Sequence, residues 1–429
     1  GHRWCKYREG FSADLIRYII DKTQINRGKV LDPFAGSGTT MFVASELGLN
    51  AAGIELLPSS AEIIEVRNFL IHAHRSDVSK SLREFAKQAS WHCSGPTEDF
   101  THLRITAGAF PPKTVLHLGR YLHEAKRLPD ENMGRVLRFA AMCILESISY
   151  TRKDGQYLRW DSRSGRKVGG KEFDKGPILE FDDAIRAKLK QIADDLEGSQ
   201  EEPMLFSEEK KVARKLGNVE ILRGSCLDIL PTLKAKTFDA LITSPPYCNR
   251  YDYTRTYALE LAMLNVGEEG IRDLRQTMLT CTVENKEKLD LERKFGKKVF
   301  RAAMNAFQSQ QMLTLVLAYL EQCKTDETIN NASIVRMVKN YFFELALLIF
   351  ASARVLKPNA PFVMVNDNVR YEGAHVPVDL ILSDFAEQAG FVVDRIWVLP
   401  RGKGNSSQQM GIHGRQEIRK CVYVWRVKG

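Results

Sequence analysis

The tetrapeptide Ser244-Pro245-Pro246-Tyr247 directly follows an apolar segment, 237–243, that is typical of a buried strand. Two consecutive prolines cannot continue a sheet, because each fixes its φ angle and lacks an N–H donor. The carbonyl groups before and between the prolines are therefore rigidly placed acceptors. Such acceptors suit an exocyclic amino group, whose two hydrogens must be held while its lone pair faces an electrophile. The tyrosine offers a ring face to a planar base; the alternative is a strand-ending turn with a packed tyrosine.

A second segment whose residues could bind a ligand is a turn between an apolar strand and a helix near the beginning of the chain. Its residues are Asp32, Pro33, Phe34, Ala35, Gly36, Ser37, Gly38, Thr39 and Thr40. The two glycines let the backbone turn tightly and approach a ligand, and the following helix offers unpaired N–H groups. Glu55 ends the next predicted strand, 17 residues after Gly38, close to where a carboxylate holds ribose hydroxyls. No lysine follows Gly38, which disfavours a P-loop ATPase. The turn indicates a nucleoside ligand, with a purely structural turn as the alternative.

The elements that must position these residues follow a strand–helix–strand order. Apolar segments 29–31 and 51–56 predict strands, and 41–47 predicts the helix between them. Helical periodicity then dominates, and alternating strands and helices resume at residue 218. We predict an α/β core with two largely helical insertions: the core comprises 1–60, 218–250 and 341–429, and the insertions are 61–217 and 251–340.

The charge of the chain favours an anionic partner. Lys and Arg number 62 against 53 Asp and Glu, a formal net charge of +9. Basic and aromatic residues alternate in the segment 152–176, which we predict to be a loop. The candidate DNA contacts are Arg152, Lys153, Arg159, Arg163, Arg166 and Lys167 in this segment, and Tyr251, Tyr253 and Arg255 after the Pro-Pro-Tyr sequence. For the two tyrosines, packing at the start of a helix is the alternative.

The composition argues against several other classes of protein. Eight scattered cysteines without a CxxC pair fit neither a disulfide framework nor a zinc ribbon, so we expect no metal and a reduced, cytoplasmic setting. The chain begins at Gly1 rather than methionine, which is typical of a trimmed chain or a fragment, and its first residues lack a signal-peptide core. The longest apolar stretch, 341–356, contains Glu344 and Arg354, so we predict no membrane span.

Together, the glycine turn and Ser244-Pro245-Pro246-Tyr247 resemble the motifs of the amino-methyltransferases that modify DNA at cytosine N4 or adenine N6 with S-adenosylmethionine. The resemblance implies a Rossmann-like methyltransferase core whose mostly parallel sheet has an antiparallel last strand. It also implies that the turn binds the methionine end of the cofactor and that Glu55 binds its ribose. Leu56, Ser225 and Cys226 would lie at the adenine, and Phe11 belongs to a segment, 7–11, that closes over the cofactor. The family often has an acidic residue where Ser225 stands.

The same resemblance implies direct methyl transfer to a base flipped out of double-stranded DNA. Ser244 and the Pro245 carbonyl would hold the amino hydrogens, and no covalent intermediate is needed. Methylation at carbon 5 of cytosine instead uses a Pro-Cys dipeptide, and none of the fifteen prolines precedes a cysteine. Serine before Pro-Pro-Tyr is more typical of N4-cytosine enzymes, so we predict N4-cytosine, with N6-adenine as the alternative. A cognate restriction endonuclease is a further implied partner.

Two other classes of function are compatible with parts of the sequence. Protein glutamine and RNA methyltransferases form the first, because glutamine enzymes share the Pro-Pro-Tyr sequence, normally after asparagine. A catalytically silent DNA-binding subunit is the second. The basic insertion disfavours the first class, and the intact glycine turn, Glu55 and Ser244 disfavour the second.

Overall fold

The computed structural model describes residues 4–5, 10–154, 157–166, 172–198, 215–399 and 418–429. Lys167 and the segment 400–417 lie outside the described residues. The eight cysteines all lie in the described residues, and none of them forms a disulfide. Among the helices that the structure describes, none combines the length and the apolar character needed to cross a bilayer.

Helices and strands are numbered here in chain order. The first part contains α1 (Ala13–Lys22), β1 (Lys29–Asp32), α2 (Thr39–Glu46), β2 (Asn50–Glu55), α3 (Pro58–His72), α4 (Arg75–Gln88), α5 (Pro112–Arg127), α6 (Glu131–Met142), α7 (Leu145–Ile148), β3 (Thr151–Asp154), β4 (Tyr157–Trp160) and α8 (Phe181–Gly198). The second part contains β5 (Val219–Arg223), α9 (Cys226–Ile229), β6 (Ala240–Thr243), α10 (Tyr253–Thr256), α11 (Ala258–Met263), α12 (Glu268–Thr277), α13 (Leu291–Ser309), α14 (Gln311–Thr325), α15 (Ser333–Val355), β7 (Pro361–Asp367), β8 (Val369–Tyr371), β9 (Ala374–Val376), α16 (Val378–Gln388), β10 (Phe391–Val398) and β11 (Lys420–Val427). Short 3₁₀ helices occupy Ser90–His92, Ser162–Ser164 and Leu230–Thr232.

The chain forms two compact units. The first, here the helical unit, comprises Gly1–Arg8, Pro58–Val212 and Asp252–Asp273. The second, here the sheet unit, comprises Glu9–Leu57, Ala213–Tyr251 and Leu274–Gly429. The predicted insertion 251–340 is thus divided between the two units. Its later part belongs to the sheet unit because the apolar faces of α13 and α14, including Phe295, Leu313 and Leu320, are buried in the core of that unit.

The sheet unit contains a seven-stranded sheet in the order β10-β11-β7-β6-β1-β2-β5. The neighbouring pairs among β5, β2, β1, β6 and β7 are parallel, whereas β11 is antiparallel to both β7 and β10. This confirms the expected α/β class with a mostly parallel sheet and an antiparallel last strand. The order of the strands reverses between β1 and β6, and ligands of such sheets bind outside the carboxyl ends at that point.

The central strands β6 and β7 are buried on both faces and are mostly apolar. All four residues of β6 are buried, and β7 is buried from Pro361 to Asn366. Strands covered on both sides read as continuous apolar segments rather than alternating ones. This explains why the short segments before the glycine turn and before Ser244 could be identified as strands.

The helical unit has a separate apolar core and one hairpin. Its largest fully buried side chains include Trp91, Tyr121, Phe139 and Phe181. Strands β3 and β4 pair antiparallel, with Thr151 opposite Trp160 and Asp154 opposite Tyr157. The prediction of a loop throughout 152–176 was therefore wrong for this hairpin. Burial alternates along β3, which is the pattern of a strand with one face on a core.

Candidate active site

Two loops of the candidate site lie side by side because β1 and β6 are parallel neighbours. Val30 pairs with Ala240 and Leu31 with Leu241, so both strands end at the same edge of the sheet. The Thr243 hydroxyl donates a 2.6 Å hydrogen bond to Asp32 Oδ1, which links the end of β6 to the start of the glycine turn. The glycine turn and the tetrapeptide are thereby brought together across 211 positions of sequence.

The glycine turn has a backbone that its glycines permit. Gly36 and Gly38 have φ angles of 55° and 78°, in the left-handed region. The Gly38 N–H donates to the Ala35 carbonyl at 2.8 Å, and the Ala35 N–H donates to the Ile54 carbonyl at 3.0 Å. Gly38 caps α2 without a side chain, so the first N–H groups of that helix lack a side-chain acceptor at the cap. Such groups suit a negatively charged ligand.

Glu55 lies inside the glycine turn. Its Oε2 accepts a 2.7 Å hydrogen bond from the Gly36 N–H, and its Oε1 accepts one of 2.8 Å from the Leu57 N–H. The side chain is 8% exposed. Burial raises the pKa of its carboxyl to about 7, although the two N–H donors oppose the shift. Each oxygen keeps a lone pair for a further donor, so the carboxylate can also accept hydroxyl groups.

Asp32 links the two loops through one of its carboxylate oxygens. It is 2% exposed, and Oδ1 accepts from both the Thr243 hydroxyl and the Phe34 N–H, the latter at 3.1 Å. Burial raises the pKa of this carboxyl to about 6, against the effect of the Thr243 hydrogen bond. The sequence analysis did not identify Thr243. The signals that could have indicated Thr243 were its hydroxyl group and its position directly before Ser244.

Ser244-Pro245-Pro246-Tyr247 leaves the sheet without forming a helix or a strand. Ser244 is half-buried, and its hydroxyl donates to the Tyr247 hydroxyl at 3.3 Å. Because the serine donates its one hydrogen there, its lone pairs remain available as acceptors. Burial raises the pKa of the Tyr247 phenol, and the nearby charge of Asp367 adds to the effect.

Residues at the end of β7 and in β8 support the tetrapeptide. The Tyr371 hydroxyl donates to the Cys248 carbonyl at 2.6 Å. Asp367 ends β7, and burial raises the pKa of its carboxyl despite Lys420. Burial also raises the pKa of the Cys248 thiol, which disfavours its thiolate as a nucleophile. Tyr371 and Asp367 were not predicted; a polar end on an otherwise apolar strand was the available signal for Asp367.

The residues expected at the adenine follow β2 and β5, which are parallel neighbours with Glu55 opposite Arg223. Ser225 caps the short helix α9, accepting from the Leu227 N–H at 3.2 Å and donating to the Thr277 carbonyl at 2.8 Å. Cys226 is buried, whereas Leu56 is half-buried. Phe11, also half-buried, directly precedes Ser12, the cap of α1.

The candidate DNA-contacting residues of the helical unit separate into two groups. Lys153 is buried, pairs with Glu260 at 2.5 Å and lies 4.2 Å from the Tyr257 ring centroid. Arg163 makes two 2.7 Å hydrogen bonds to Asp161. These two cations are therefore held by acidic side chains of the helical unit, although the Arg163 side chain is 49% exposed. The second group comprises Arg152, Arg159 and Arg166, which are exposed or half-buried; Arg159 pairs with Asp154 at 3.4 Å.

Two arginines of the second group stack on aromatic rings. The Arg159 guanidinium lies 4.0 Å from the centroid of Phe173, and that of Arg166 lies 4.2 Å from Trp160. Stacking fixes the direction of a guanidinium while leaving its N–H edge for other acceptors. In Arg166, part of this edge donates to the Ile105 carbonyl at 3.1 Å.

The remaining candidates lie where the chain passes from the sheet unit to the helical unit. The Tyr251 N–H donates to Asn249 Oδ1 at 3.2 Å. Tyr253 begins α10 and is half-buried. Arg255 pairs with Asp252, the cap of that helix, at 3.2 Å.

Comparison with known proteins finds a family model that matches the beginning of the chain and relatives that are similar along nearly all of it. A family model for N6 and N4 methylases, described as DNA methylase, matches residues 4–66. The chain is 48% identical over 430 residues to the type II methyltransferase M.AvaI of Nostoc sp., covering 99% of this chain and 86% of that protein. It is 38% identical over 444 residues to the type II methyltransferase M.BsoBI of Geobacillus stearothermophilus, covering 99% of this chain and 85% of that protein.

Proposed function

The chain belongs to the S-adenosylmethionine-dependent type II DNA methyltransferases of the N4/N6 kind, and we propose that it methylates the exocyclic N4 of cytosine in double-stranded DNA. The observation that carries this proposal is Ser244, a neutral hydroxyl before Pro-Pro-Tyr at the carboxyl end of β6. Serine at this position is the form that resembles the N4-cytosine members of the family. Aspartate or asparagine would resemble the N6-adenine members.

In this proposal the cofactor binds along the ends of β1, β2 and β5, and it supplies a methyl group activated by a sulfonium. The residues present suit such a group. The turn 34–39 offers N–H donors at the start of α2 to the methionine carboxylate, and Glu55 accepts the ribose hydroxyls. Leu56, Ser225 and Cys226 contact the adenine, Phe11 closes over the cofactor, and Asp32 supports the turn.

We infer that Ser244 and the Pro245 carbonyl orient the target amino group. The serine lone pairs accept one amino hydrogen, because the hydrogen of the serine itself is donated to Tyr247. The carbonyl before Pro246 accepts the other amino hydrogen. Holding both hydrogens would direct the amino lone pair toward the methyl group that the bound cofactor would supply, and the proton that the nitrogen releases would pass to water. Orientation of this kind accounts for several powers of ten in rate.

Tyr247 stacks on the target base in this proposal. A base inside a duplex cannot reach such a site, so the nucleotide must rotate out of the stack, at a cost of about a few kcal/mol. Stacking on the tyrosine ring, worth about 1–3 kcal/mol, offsets part of this cost. The raised pKa of the phenol keeps the ring neutral, which avoids placing a phenolate against the base.

For the duplex itself, we infer phosphate contacts by Arg152, Arg159 and Arg166. Arg152 and Arg166 are exposed and Arg159 is half-buried, and Phe173 and Trp160 hold the guanidinium groups of Arg159 and Arg166, respectively. Tyr251, Tyr253 and Arg255 contact the neighbours of the flipped base. A restriction endonuclease that cuts the same recognition sequence when it is unmethylated is the functional partner that we infer from the type II family.

Identification of the product tests the proposal. Duplex DNA methylated by the purified protein is digested to nucleosides, and the modified nucleoside is identified by mass spectrometry; we expect N4-methylcytosine. N6-methyladenine would overturn the assignment of the base and leave direct transfer intact. 5-Methylcytosine would overturn direct transfer. Labelling of RNA or protein, with no modified nucleoside in duplex DNA, would contradict the substrate class.

A further inference from the structure

Three side chains with metal-binding atoms meet in the helical unit, outside the candidate active site. They are His92 at the end of the 3₁₀ helix Ser90–His92, His117 on α5 and Asp182 in the first turn of α8. One ligand atom from each lies within 4.8 Å of the others. The sequence analysis expected no metal, because no cysteines form a CxxC pair; these three ligands are separated by 25 and 65 residues and form no short motif.

The histidine nitrogens lie close to the carboxylate. His92 Nε2 lies 3.0 Å from Asp182 Oδ1, and His117 Nδ1 lies 3.2 Å from Asp182 Oδ2. A tetrahedral Zn²⁺ with bonds of about 2.0–2.1 Å holds its ligand atoms about 3.4 Å apart. Each distance between a histidine nitrogen and the carboxylate is thus within a few tenths of an ångström of this value, and all the ligand atoms lie within 4.8 Å of one another. The two imidazole rings are 5.1 Å apart at their centroids and inclined by 69°, so they are not stacked against each other.

A hydrogen bond from Trp91 orients the Asp182 carboxylate. The indole Nε1–H of Trp91 donates to Asp182 Oδ1 at 2.5 Å, and Trp91 is fully buried. Ligands of metal sites are usually fixed in this way by an outer hydrogen bond. In the described part of the chain, both ionic partners of Asp182 are histidines. No lysine or arginine therefore competes with a cation for this carboxylate.

The cluster is accessible from solvent. The side chains of His92, Asp182 and His117 are 45%, 22% and 13% exposed. An ion can thus reach the three ligands, and water can occupy a fourth position.

We propose that His92, His117 and Asp182 bind a divalent transition-metal ion of the Zn²⁺ type, with water as the fourth ligand. Two imidazole nitrogens and one carboxylate oxygen are a ligand set that such ions accept. The ion joins the 3₁₀ helix, α5 and α8, which are otherwise held by packing and by the Asp182 hydrogen bonds. It stabilises the helical unit and takes no part in methyl transfer.

The test uses the whole chain, freed of metal by a chelator, and titrated with Co²⁺ as a visible substitute for Zn²⁺. We expect one ion per chain, with the intense visible bands of four-coordinate cobalt and without the near-ultraviolet band of a cobalt–thiolate bond. Zn²⁺ should abolish the bands by competition and raise the Tm. His92→Gln and His117→Gln should each weaken binding by about tenfold or more and remove the rise in Tm.

His123→Gln is the matched control. His123 lies on the same helix as His117 and pairs with one carboxylate, Glu98, at 3.4 Å, with Lys126 on the other side of that carboxylate. Its replacement should leave the cobalt spectrum unchanged. The proposal is overturned if the unaltered chain gives no cobalt bands, if both histidine variants bind as tightly as the unaltered chain, or if a thiolate band assigns the ion to a cysteine.

Discussion

At the scale of single residues, the hydrogen bond between Thr243 and Asp32 defines the spacing of the two loops. It joins the residue before Ser244 to the first residue of the glycine turn. Both side chains are buried, and Asp32 Oδ1 already accepts from two donors. Loss of this bond should therefore act on the placement of Ser244 relative to the cofactor rather than on the chemistry of either group.

We expect Thr243→Val to lower kcat by about 10- to 100-fold, because a shift of about an ångström between reacting groups has that effect. The KM for S-adenosylmethionine should change much less. Steady-state kinetics with a duplex substrate would measure both. Thr243→Ser, which keeps the hydroxyl, should retain most of the activity. An unchanged kcat in Thr243→Val would show that the link has no part in catalysis.

The raised pKa of Glu55 predicts that the stability of the folded chain depends on pH. Its pKa is raised to about 7 in the folded chain, against about 4.3 when unfolded. Between these values the folded state retains the proton and the unfolded state has lost it, so stability should fall as pH rises from about 4.5 to about 7. Urea unfolding at several pH values should show this loss to be smaller in Glu55→Gln. The difference between the two proteins removes the contribution of Asp32, which acts in the same direction.

Binding of the cofactor should have the opposite dependence on pH. Ribose hydroxyls donate more strongly to a carboxylate than to a neutral carboxyl. The affinity for S-adenosylmethionine should therefore rise between pH 6 and 8 in the unaltered protein and remain nearly flat in Glu55→Gln. Equal pH profiles for the two proteins in calorimetry would remove Glu55 from the proposed ribose site.

At the scale of elements, β1, β2 and α2 hold the glycine turn by close packing. A methyl group added at Gly53 in β2 would overlap the sulfur of Met41 in α2 and lie 2.8 Å from Ala35 Cβ in the turn. No signal in the local sequence indicates this, because Gly53 resembles any small residue in an apolar strand. The constraint arises from the helix that covers it.

Gly53→Ala should destabilise the protein by about 1–3 kcal/mol, as overpacking of a core does, and should weaken binding of S-adenosylmethionine because Ala35 is displaced. Chemical unfolding and calorimetry would measure the two effects. Gly95→Ala is the control, since its added methyl group meets no atom within 4 Å, and it should change neither quantity. Normal cofactor affinity in Gly53→Ala would separate this packing from the site.

The strands and helices differ in how well the sequence predicts their positions in the fold. Short apolar segments before the two loops identified β1 and β6, and the rule that parallel strands end at one edge accounts for the meeting of their loops. The division of 251–340 between two units could not be predicted, because an amphipathic helix such as α13 shows that it has an apolar face but not which core covers it. The contact between Thr243 and Asp32 requires the pairing of β1 with β6, which local patterns do not contain.

At the scale of the whole molecule, the formal net charge of +9 indicates attraction to nucleic acid, but the individual cations differ in availability. From the sequence alone, Lys153 and Arg163 could not be distinguished from Arg159 and Arg166 as candidate DNA contacts. The structure pairs Lys153 with Glu260, Arg163 with Asp161 and Arg159 with Asp154, and of these three cations only Lys153 is buried. Net charge therefore overstates the number of cations that a duplex can reach.

Arg159→Gln and Arg166→Gln should each weaken DNA binding and reduce the salt slope of log K by about 0.9, the value for one phosphate contact. Fluorescence anisotropy at several salt concentrations would measure the slope. Arg83→Gln removes the same charge from an arginine paired with Asp194 and Glu197, and it should leave the slope unchanged. Equal slopes for all three variants would move the duplex contact to other residues.

The position of β11 bears on how the chain folds during synthesis. This strand, residues 420–427, lies between β7 and β10 and pairs with both, although it follows them in the chain. While it is still inside the ribosome, β10 has no neighbour in the sheet and β7 has an open edge. The sheet unit therefore cannot complete its fold until β11 has left the ribosome, and until then the exposed edge of β7 is a natural place for a chaperone to bind the nascent chain.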